Sequence, residues 1–341
     1  MRYRTTILVV LFGVATFHCS GDEVPVYEEH KGLTQEQIDQ LVVQKPFLLE
    51  DWANHGPIGQ CFVCGGTRTP GNLWGYGFNH KTYDLTTEPG LAQLRSDLLA
   101  LADRCIANLQ GVKGQGIIVW DFDGVQPGWP GYIGDPPGIP TFSAPILPIA
   151  DAFFQKFHEA RLAVGVCIRA DLLVLTDGKP HVQRYYQTFE EAIADLDAKI
   201  TFAVQRWGAT LFYIDSYGNG PVTQSPVYTS YVFEALLKKH PGLLLIPEGG
   251  GTLVPPTGTI NEFNASAPFN VLGLHFNRTP SAVLAVYPGA FSVINISDGD
   301  LETYYDELVK SFTRGDIPLF RCWFRDHQYP YLQRIESSIV R

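Results

Sequence analysis

LFYIDSYGNG (211–220) runs an apolar, aromatic strand up to an aspartate, Asp215, and then breaks at once into a polar, glycine-rich turn. One strand ending of this kind decides little. It becomes informative when other strands of the same chain also stop at ionisable groups and could share one sheet. Short β-branched or aromatic runs recur at 116–122 (GIIVWDF), 163–169 (AVGVCIR), 243–248 (LLLIPE), 270–276 (NVLGLHF), 290–296 (AFSVINI) and 317–324 (IPLFRCWF), and 72–78 (NLWGYGF) supplies an eighth. Between several of them lie helical patterns. Leu94, Leu98, Leu101, Cys105 and Leu109 share one face at helical spacing, as do Phe189, Ile193, Leu196, Ile200 and Val204. Further helices are expected near 148–160, 226–239 and 301–313. Strands that alternate with helices and are apolar on both faces imply a parallel sheet, and eight of them predict an α/β (β/α)8 TIM barrel. The segment 249–269 is too rich in Pro, Gly and Asn to continue the alternation, which keeps an open doubly wound sheet as the alternative.

The 341-residue chain, 45% hydrophobic and 13% aromatic, is long enough to bury a substantial core. Residues 1–21 read as an export signal: Arg2 and Arg4 precede a short apolar run, Ile7 to Ala15, too brief to span a bilayer comfortably. Cys19 follows that run and is a candidate lipidation site, so the expected location is periplasmic, secreted or lipid-anchored. Residues 22–70 are expected as an N-terminal extension packed on the barrel, with a capping box at Thr34 and Gln37 and a stop at Pro46, and 71–341 as the barrel itself. The net charge of −10 makes a poor binder of nucleic acid or of anionic membrane, leaving a membrane role only through an anchor at Cys19.

The cysteines suggest little chemistry. Cys61 and Cys64 form a C-x-x-C that fits a loop disulfide or two loop thiols better than a zinc site, because no second pair with ligand spacing follows. Cys105, Cys167 and Cys322 sit in apolar patterns and read as small core residues. The nine histidines are scattered, no G-x-S-x-G elbow or P-loop occurs, and GVKGQG (111–116) precedes a strand where a dinucleotide loop would follow one. No cofactor or metal is expected.

In such barrels the chemistry sits at the C-terminal ends of the strands. Those ends here carry Asp121 and Asp123, Arg169 and Asp171, Asp215, Glu248, His275, Asp298 and Asp326. The loop after the 116–122 run holds seven prolines and five glycines between Gly124 and Pro148, with Trp129 and Tyr132 among them. Trp74, Tyr76, Trp120, Tyr213, Tyr217, Trp323 and Tyr329 lie at or near the same end. Aromatic platforms beside carboxylates suit a carbohydrate, whose rings present apolar C–H faces together with hydroxyls that need acceptors. Cleaving a glycosidic bond takes two carboxyl groups, one protonated and one ionised. Asp215 and Glu248, ending neighbouring strands, are the expected catalytic pair, although Asp121 or Asp123 could also face Asp215 across the mouth. Asp121, Asp123, Trp129, Arg169, Asp171, Tyr217, His275, Trp323 and Asp326 are the expected substrate-binding set.

ADAFFQKFHEARLAVGVCIRAD (150–171) resembles the segment leading into the third strand of the α-galactosidase-like clan of glycoside hydrolase barrels. VWDFDG (119–124) resembles that clan's second-strand acidic pair, and LFYIDS (211–216) its fourth strand. The resemblance covers roughly residues 115–217. It implies that Asp121 or Asp123 binds sugar hydroxyls and that Asp215 is the nucleophile. Two positions depart from the clan: no lysine precedes Asp215 in its strand, and Asn277 with Arg278 stands where an acid/base aspartate is expected. The expectation is an exported glycoside hydrolase, with a non-catalytic glycan-binding protein on the same scaffold as the alternative.

Overall fold

The computed structural model describes residues 56–64, 68–78, 81–125, 132–177, 179–215, 222, 232–247, 269–272, 291–296, 304–313, 315–322, 330 and 333–334. In chain order they form β1 (Ile58–Phe62), α1 (Glu88–Gly111), β2 (Gly116–Trp120), α2 (Leu147–Glu159), β3 (Ala163–Arg169), β4 (Asp171–Thr176), β5 (Lys179–Tyr185), α3 (Phe189–Trp207), β6 (Leu211–Asp215), α4 (Glu234–Lys239), β7 (Leu244–Pro247), β8 (Phe269–Leu272), β9 (Ser292–Ile296), α5 (Tyr305–Thr313) and β10 (Ile317–Arg321).

Eight strands make one sheet in the order β7-β6-β3-β2-β1-β10-β9-β8, with every described ladder parallel. The first strand pairs with the last, β1 with β10. The two edge strands of that order, β7 and β8, come within 8 Å of each other between Cα atoms. Followed around, the strands keep their chain order, whereas a doubly wound sheet reverses direction at a switch point. The fold is therefore a (β/α)8 barrel, and the open sheet is set aside.

Alternation along each strand separates two cores. Ile58, Ile118, Trp120, Cys167, Leu211, Tyr213, Leu244, Ile246, Val293, Ile317 and Leu319 point inward and fill the barrel. Their neighbours, such as Val119, Val166, Phe212, Leu245 and Phe320, point outward into a larger cluster with the apolar faces of α1, α2 and α3. Both faces are buried, so the strands read as continuous apolar runs. The helices are closed by local chemistry. Thr87 caps α1 by accepting the Gly90 N–H at 3.3 Å, and Thr188 caps α3 by accepting the Glu191 N–H at 3.1 Å. Gly208 ends α3 with φ +61°, a left-handed residue that glycine takes without a Cβ clash.

Three expectations need correction. The first barrel strand is Ile58–Phe62, inside the stretch expected as an extension and ahead of 71. NLWGYGF makes only isolated bridges, Asn72 with Thr69 and Tyr76 with Cys64. Its Asn72 side chain accepts the Tyr76 N–H at 2.9 Å and donates to the Tyr76 carbonyl at 2.6 Å, so the backbone is closed into a loop instead of a ladder. Cys61 lies in β1 rather than in a loop. It and Cys64 are free thiols, with Cys61 Sγ facing Cys105 Sγ at 3.9 Å. Beyond these, the segment after β3 forms an antiparallel hairpin, β4 with β5, for which the sequence reading held no expectation. The expected leader 1–21, Cys19 and the expected helix after Thr34 lie outside the described residues.

Candidate active site at the C-terminal rim

β3 and β6 deliver the centre of the site. Arg169 lies two residues beyond the inward Cys167, and Asp215 two beyond the inward Tyr213, so alternation turns both side chains toward the barrel axis. They are partners across the β3–β6 ladder, and the Ala170 N–H donates to the Asp215 carbonyl at 3.2 Å. Beneath them lies an aromatic floor. The Trp120 and Tyr213 rings are 4.9 Å apart, and Phe62 stacks on Trp120 at 5.1 Å. Two expected rim platforms are elsewhere: Trp74 packs on Phe142 in the outer core at 4.5 Å, and Tyr76 is buried in that same core.

The end of β2 supplies two buried acids. Asp121 takes a left-handed φ of +71°, unusual for a non-glycine residue and typical of backbone strained at functional sites. Its carbonyl accepts the Gly124 N–H at 2.9 Å and the Cys64 thiol at 3.0 Å, while its carboxyl Oδ1 has no hydrogen-bond partner among the described residues. Burial pushes the Asp121 carboxyl well above the usual carboxylate range, and the charges of Asp123 and Asp215 push it further. Asp123 accepts the Asp135 N–H. Burial lifts it to about 7, with Asp135 adding to the rise and Lys199 opposing it. Both carboxyls are thus biased toward the protonated form, beside a half-exposed carboxyl at Asp215.

The described flanks of the loop after β2 close on each other. Ile133 N–H donates to the Gly124 carbonyl at 2.9 Å, and Val125 and Tyr132 form an antiparallel bridge. The Arg169 guanidinium lies 5.4 Å from the centroid of the Tyr132 ring and donates to the Tyr132 carbonyl at 3.4 Å, while Cys167 donates to the Tyr132 hydroxyl at 3.4 Å. Gly134 makes this approach possible. It has φ +69°, its carbonyl accepts the Arg169 N–H at 3.0 Å, and a Cβ there would stand 2.6 Å from the Arg169 nitrogen. Asp171 opens β4, buried, and burial lifts its carboxyl to about 6 against the opposing charges of Arg169 and Lys199.

Of the expected site residues, the barrel thus brings Asp215, Arg169, Asp121, Asp123 and Asp171 to one end. Glu248, Trp129, Tyr217, His275, Trp323, Asp326 and Asp298 lie outside the described residues. Sequence reasoning left out Lys199, Asp135 and Gly134, and counted Tyr132 as a loop aromatic without placing it at Arg169. Lys199 had a visible signal, since it occupies the apolar stripe of α3 between Leu196 and Ala203. A shallow depression on the loop after β1, lined by Thr69, Pro70, Gly71, Thr82, Tyr83, Asp84 and Thr86, contains none of the rim acids.

No protein-family model and no curated protein matches the chain. Among solved structures it is similar to an α-L-fucosidase from Bacteroides thetaiotaomicron trapped as a covalent intermediate, at 10% identity over 90% of this chain and 75% of that one, TM-score 0.45. It is also similar to an α-L-fucosidase from Lactobacillus casei in complex with α-L-fucose, at 10% identity over 89% and 97%, TM-score 0.41. A hyperthermophilic endocellulase from Pyrococcus horikoshii matches at 12% identity over 69% and 86%, TM-score 0.41. At such identities and scores these are likenesses of glycoside hydrolase barrels, and the (β/α)8 assignment of this chain rests on its own strand order and closure.

Proposed function

We propose that the protein is a glycoside hydrolase acting through carboxyl groups at the C-terminal rim of the barrel, with Asp215 ionised as nucleophile or base. The observation that carries the reading is the inward Asp215 beside Arg169, above a floor of Trp120 and Tyr213, with the buried acids Asp121 and Asp123 at the adjoining strand end. Glycosidic cleavage asks for this division: one ionised carboxyl at the reacting carbon and protonated groups where the leaving oxygen departs. Burial favours the neutral form of Asp121 and Asp123, which supplies the protonated half of that division. In this reading Glu248, at the end of the next strand, completes the pair, and Asp121 or Asp123 holds sugar hydroxyls, as in the α-galactosidase-like clan. The aromatic floor offers a face for a sugar ring. We further propose that residues 1–21 direct export and that the substrate is an extracellular or periplasmic oligo- or polysaccharide.

The experiment is a hydrolysis screen of purified protein against aryl glycosides and natural polysaccharides, with Asp215→Asn alongside. Release of sugar by the wild type and not by the variant supports the reading. Saturable glycan binding without turnover would instead make the protein a binding module on a barrel scaffold, and neither result with any glycan would overturn the assignment.

A further inference from the structure

Lys199 sits midway along α3 with no exposed surface, and among the described residues it is the only lysine or arginine so buried. A buried ammonium is costly unless it is fully partnered. Its three donors are all used: Nζ reaches the Arg169 carbonyl at 3.0 Å, the Asp171 carbonyl at 2.7 Å and the Asp195 carboxylate at 2.7 Å. The first two acceptors flank the corner at Ala170, where the chain leaves the barrel as β3 and enters the hairpin as β4. Asp195, one helical turn earlier, also accepts the Tyr186 hydroxyl just after β5, so one ion pair ties both ends of the hairpin to α3. The short helical turn Pro136–Gly138 packs against α3 as well, which brings Asp135 into the same neighbourhood.

We propose that Lys199 is a positioning residue of the rim: by gathering the carbonyls of Arg169 and Asp171 it fixes the corner that sets Arg169 against Asp215, and it is the counter-charge behind the buried acids. The role given to Arg169 and Asp215 rests on the reading above; the position of Lys199 does not. The groups that face it are Asp195 on its own helix, Arg169 at the end of β3, Asp171 at the start of β4, Asp123 beyond β2 and Asp135 in the loop. Its charge lowers the carboxyls of Asp123, Asp135 and Asp171, and the charge of Asp195 raises those of Asp135 and Asp171. A lysine whose task was only to fill the helix stripe would be replaceable by an apolar side chain of equal length with no electrical consequence at the rim.

The test is the titration of the aspartate carboxyl carbons by NMR in the wild type, Lys199→Met and Lys199→Arg, with the Arg169 guanidinium signal followed in the same samples. The proposal expects the Asp123 midpoint to rise by about one pH unit in Lys199→Met and to stay near the wild-type value in Lys199→Arg. The Arg169 signal should move toward that of a free guanidinium in Lys199→Met alone. An Asp123 midpoint unchanged in a folded Lys199→Met would overturn it. Should Lys199→Met fail to fold, Lys199→Gln keeps a donor for the two carbonyls and removes the charge, and the Asp123 and Asp171 midpoints must then rise above their wild-type values. A midpoint that stays put there overturns the proposal equally. Neither measurement needs turnover, so a protein that hydrolyses no glycan still decides the role of Lys199.

Discussion

Arg169 and Asp215 are partners at the last level of the β3–β6 ladder, a basic and an acidic residue paired across two strands where the barrel opens. A carboxyl so placed is held by two strands. Asp215→Asn preserves the shape and removes the charge. In the proposed reaction it lowers kcat by several orders of magnitude while the thermal midpoint stays near the wild-type value. Retention of more than about a tenth of kcat, a barrier change of only ~1.4 kcal/mol, would make Asp215 a binding residue and turn attention to Glu248 with Asp121 or Asp123.

Arg169 is held as a plane, not only as a charge, because its guanidinium lies over the Tyr132 ring. Arg169→Lys keeps the charge and loses both the stacking and the fixed fork, so it should behave as a damaging substitution rather than a conservative one. The companion change Tyr132→Phe keeps the ring face and should cost little, whereas Tyr132→Leu removes the cation–π contact, worth roughly 0.5–2 kcal/mol. Substrate affinity measured for the three variants should rank Tyr132→Phe above Tyr132→Leu above Arg169→Lys.

The buried acids set a pH dependence of stability. Asp123 has its folded pKa raised to about 7 and Asp171 to about 6, both from 3.8, so between those values the folded state holds protons that the unfolded chain releases. The stability associated with them is fully present below about pH 4 and is lost as pH rises through about 6 to 7. For Asp123 the loss amounts to at most roughly 4 kcal/mol. Asp97 and Asp197, whose pKa values are lowered by Lys81 and Tyr83 and by Lys239 and His240, act in the opposite sense, losing their contribution as pH falls through the acid range. Thermal unfolding should therefore give a higher midpoint near pH 5 than near pH 8, and Asp123→Asn should flatten the slope between them. A wild-type midpoint that climbs steadily to pH 8 would mean that Asp123 ionises freely in the fold.

What the sequence made legible, and what it hid, follows from which forces act locally. The strand carrying Asp215 could be read because LFYI is apolar on both faces and the break after it is abrupt. β1 could not: IGQCF is five residues with Gly59 and Gln60 in its middle. Gln60 is tolerated inside the barrel because its side chain donates to Asn295 at 2.8 Å, and a Cβ at Gly59 would stand 2.7 Å from the Cys322 sulfur. Both reasons are contacts with β9 or the end of β10, more than two hundred residues away, which no local window contains. NLWGYGF misled in the opposite direction, since Trp74 and Tyr76 are buried by packing under a loop that Asn72 closes. The site divided in the same way. Asp121, Asp123, Arg169, Asp171 and Asp215 were legible as strand ends, while Tyr132 and Lys199 reach the rim only through a folded-back loop and a helix that packs from outside.

The sharpest test of that folded-back loop is a single methyl group. Gly134 lies at φ +69° against the backbone of Arg169, and an added Cβ would stand 2.6 Å from the Arg169 nitrogen and 2.4 Å from its Cγ. Gly134→Ala therefore meets two penalties at once, the left-handed backbone of a residue with a Cβ and a contact too close for the Gly134 carbonyl to keep its bond to the Arg169 N–H. The cheapest relief is for residues 132–134 to lift away from β3, which withdraws the Tyr132 ring from Arg169 and leaves the barrel ladders intact. The expected result is a stability loss of about 1–3 kcal/mol together with weakened substrate affinity, while the secondary structure seen by circular dichroism is unchanged. Arg169→Met in the Gly134→Ala background should add less to the affinity loss than it does alone, because the two changes break the same contact. Additive losses would show that the loop and the arginine act on the substrate independently, and that Tyr132 serves the packing of the loop rather than the placement of Arg169.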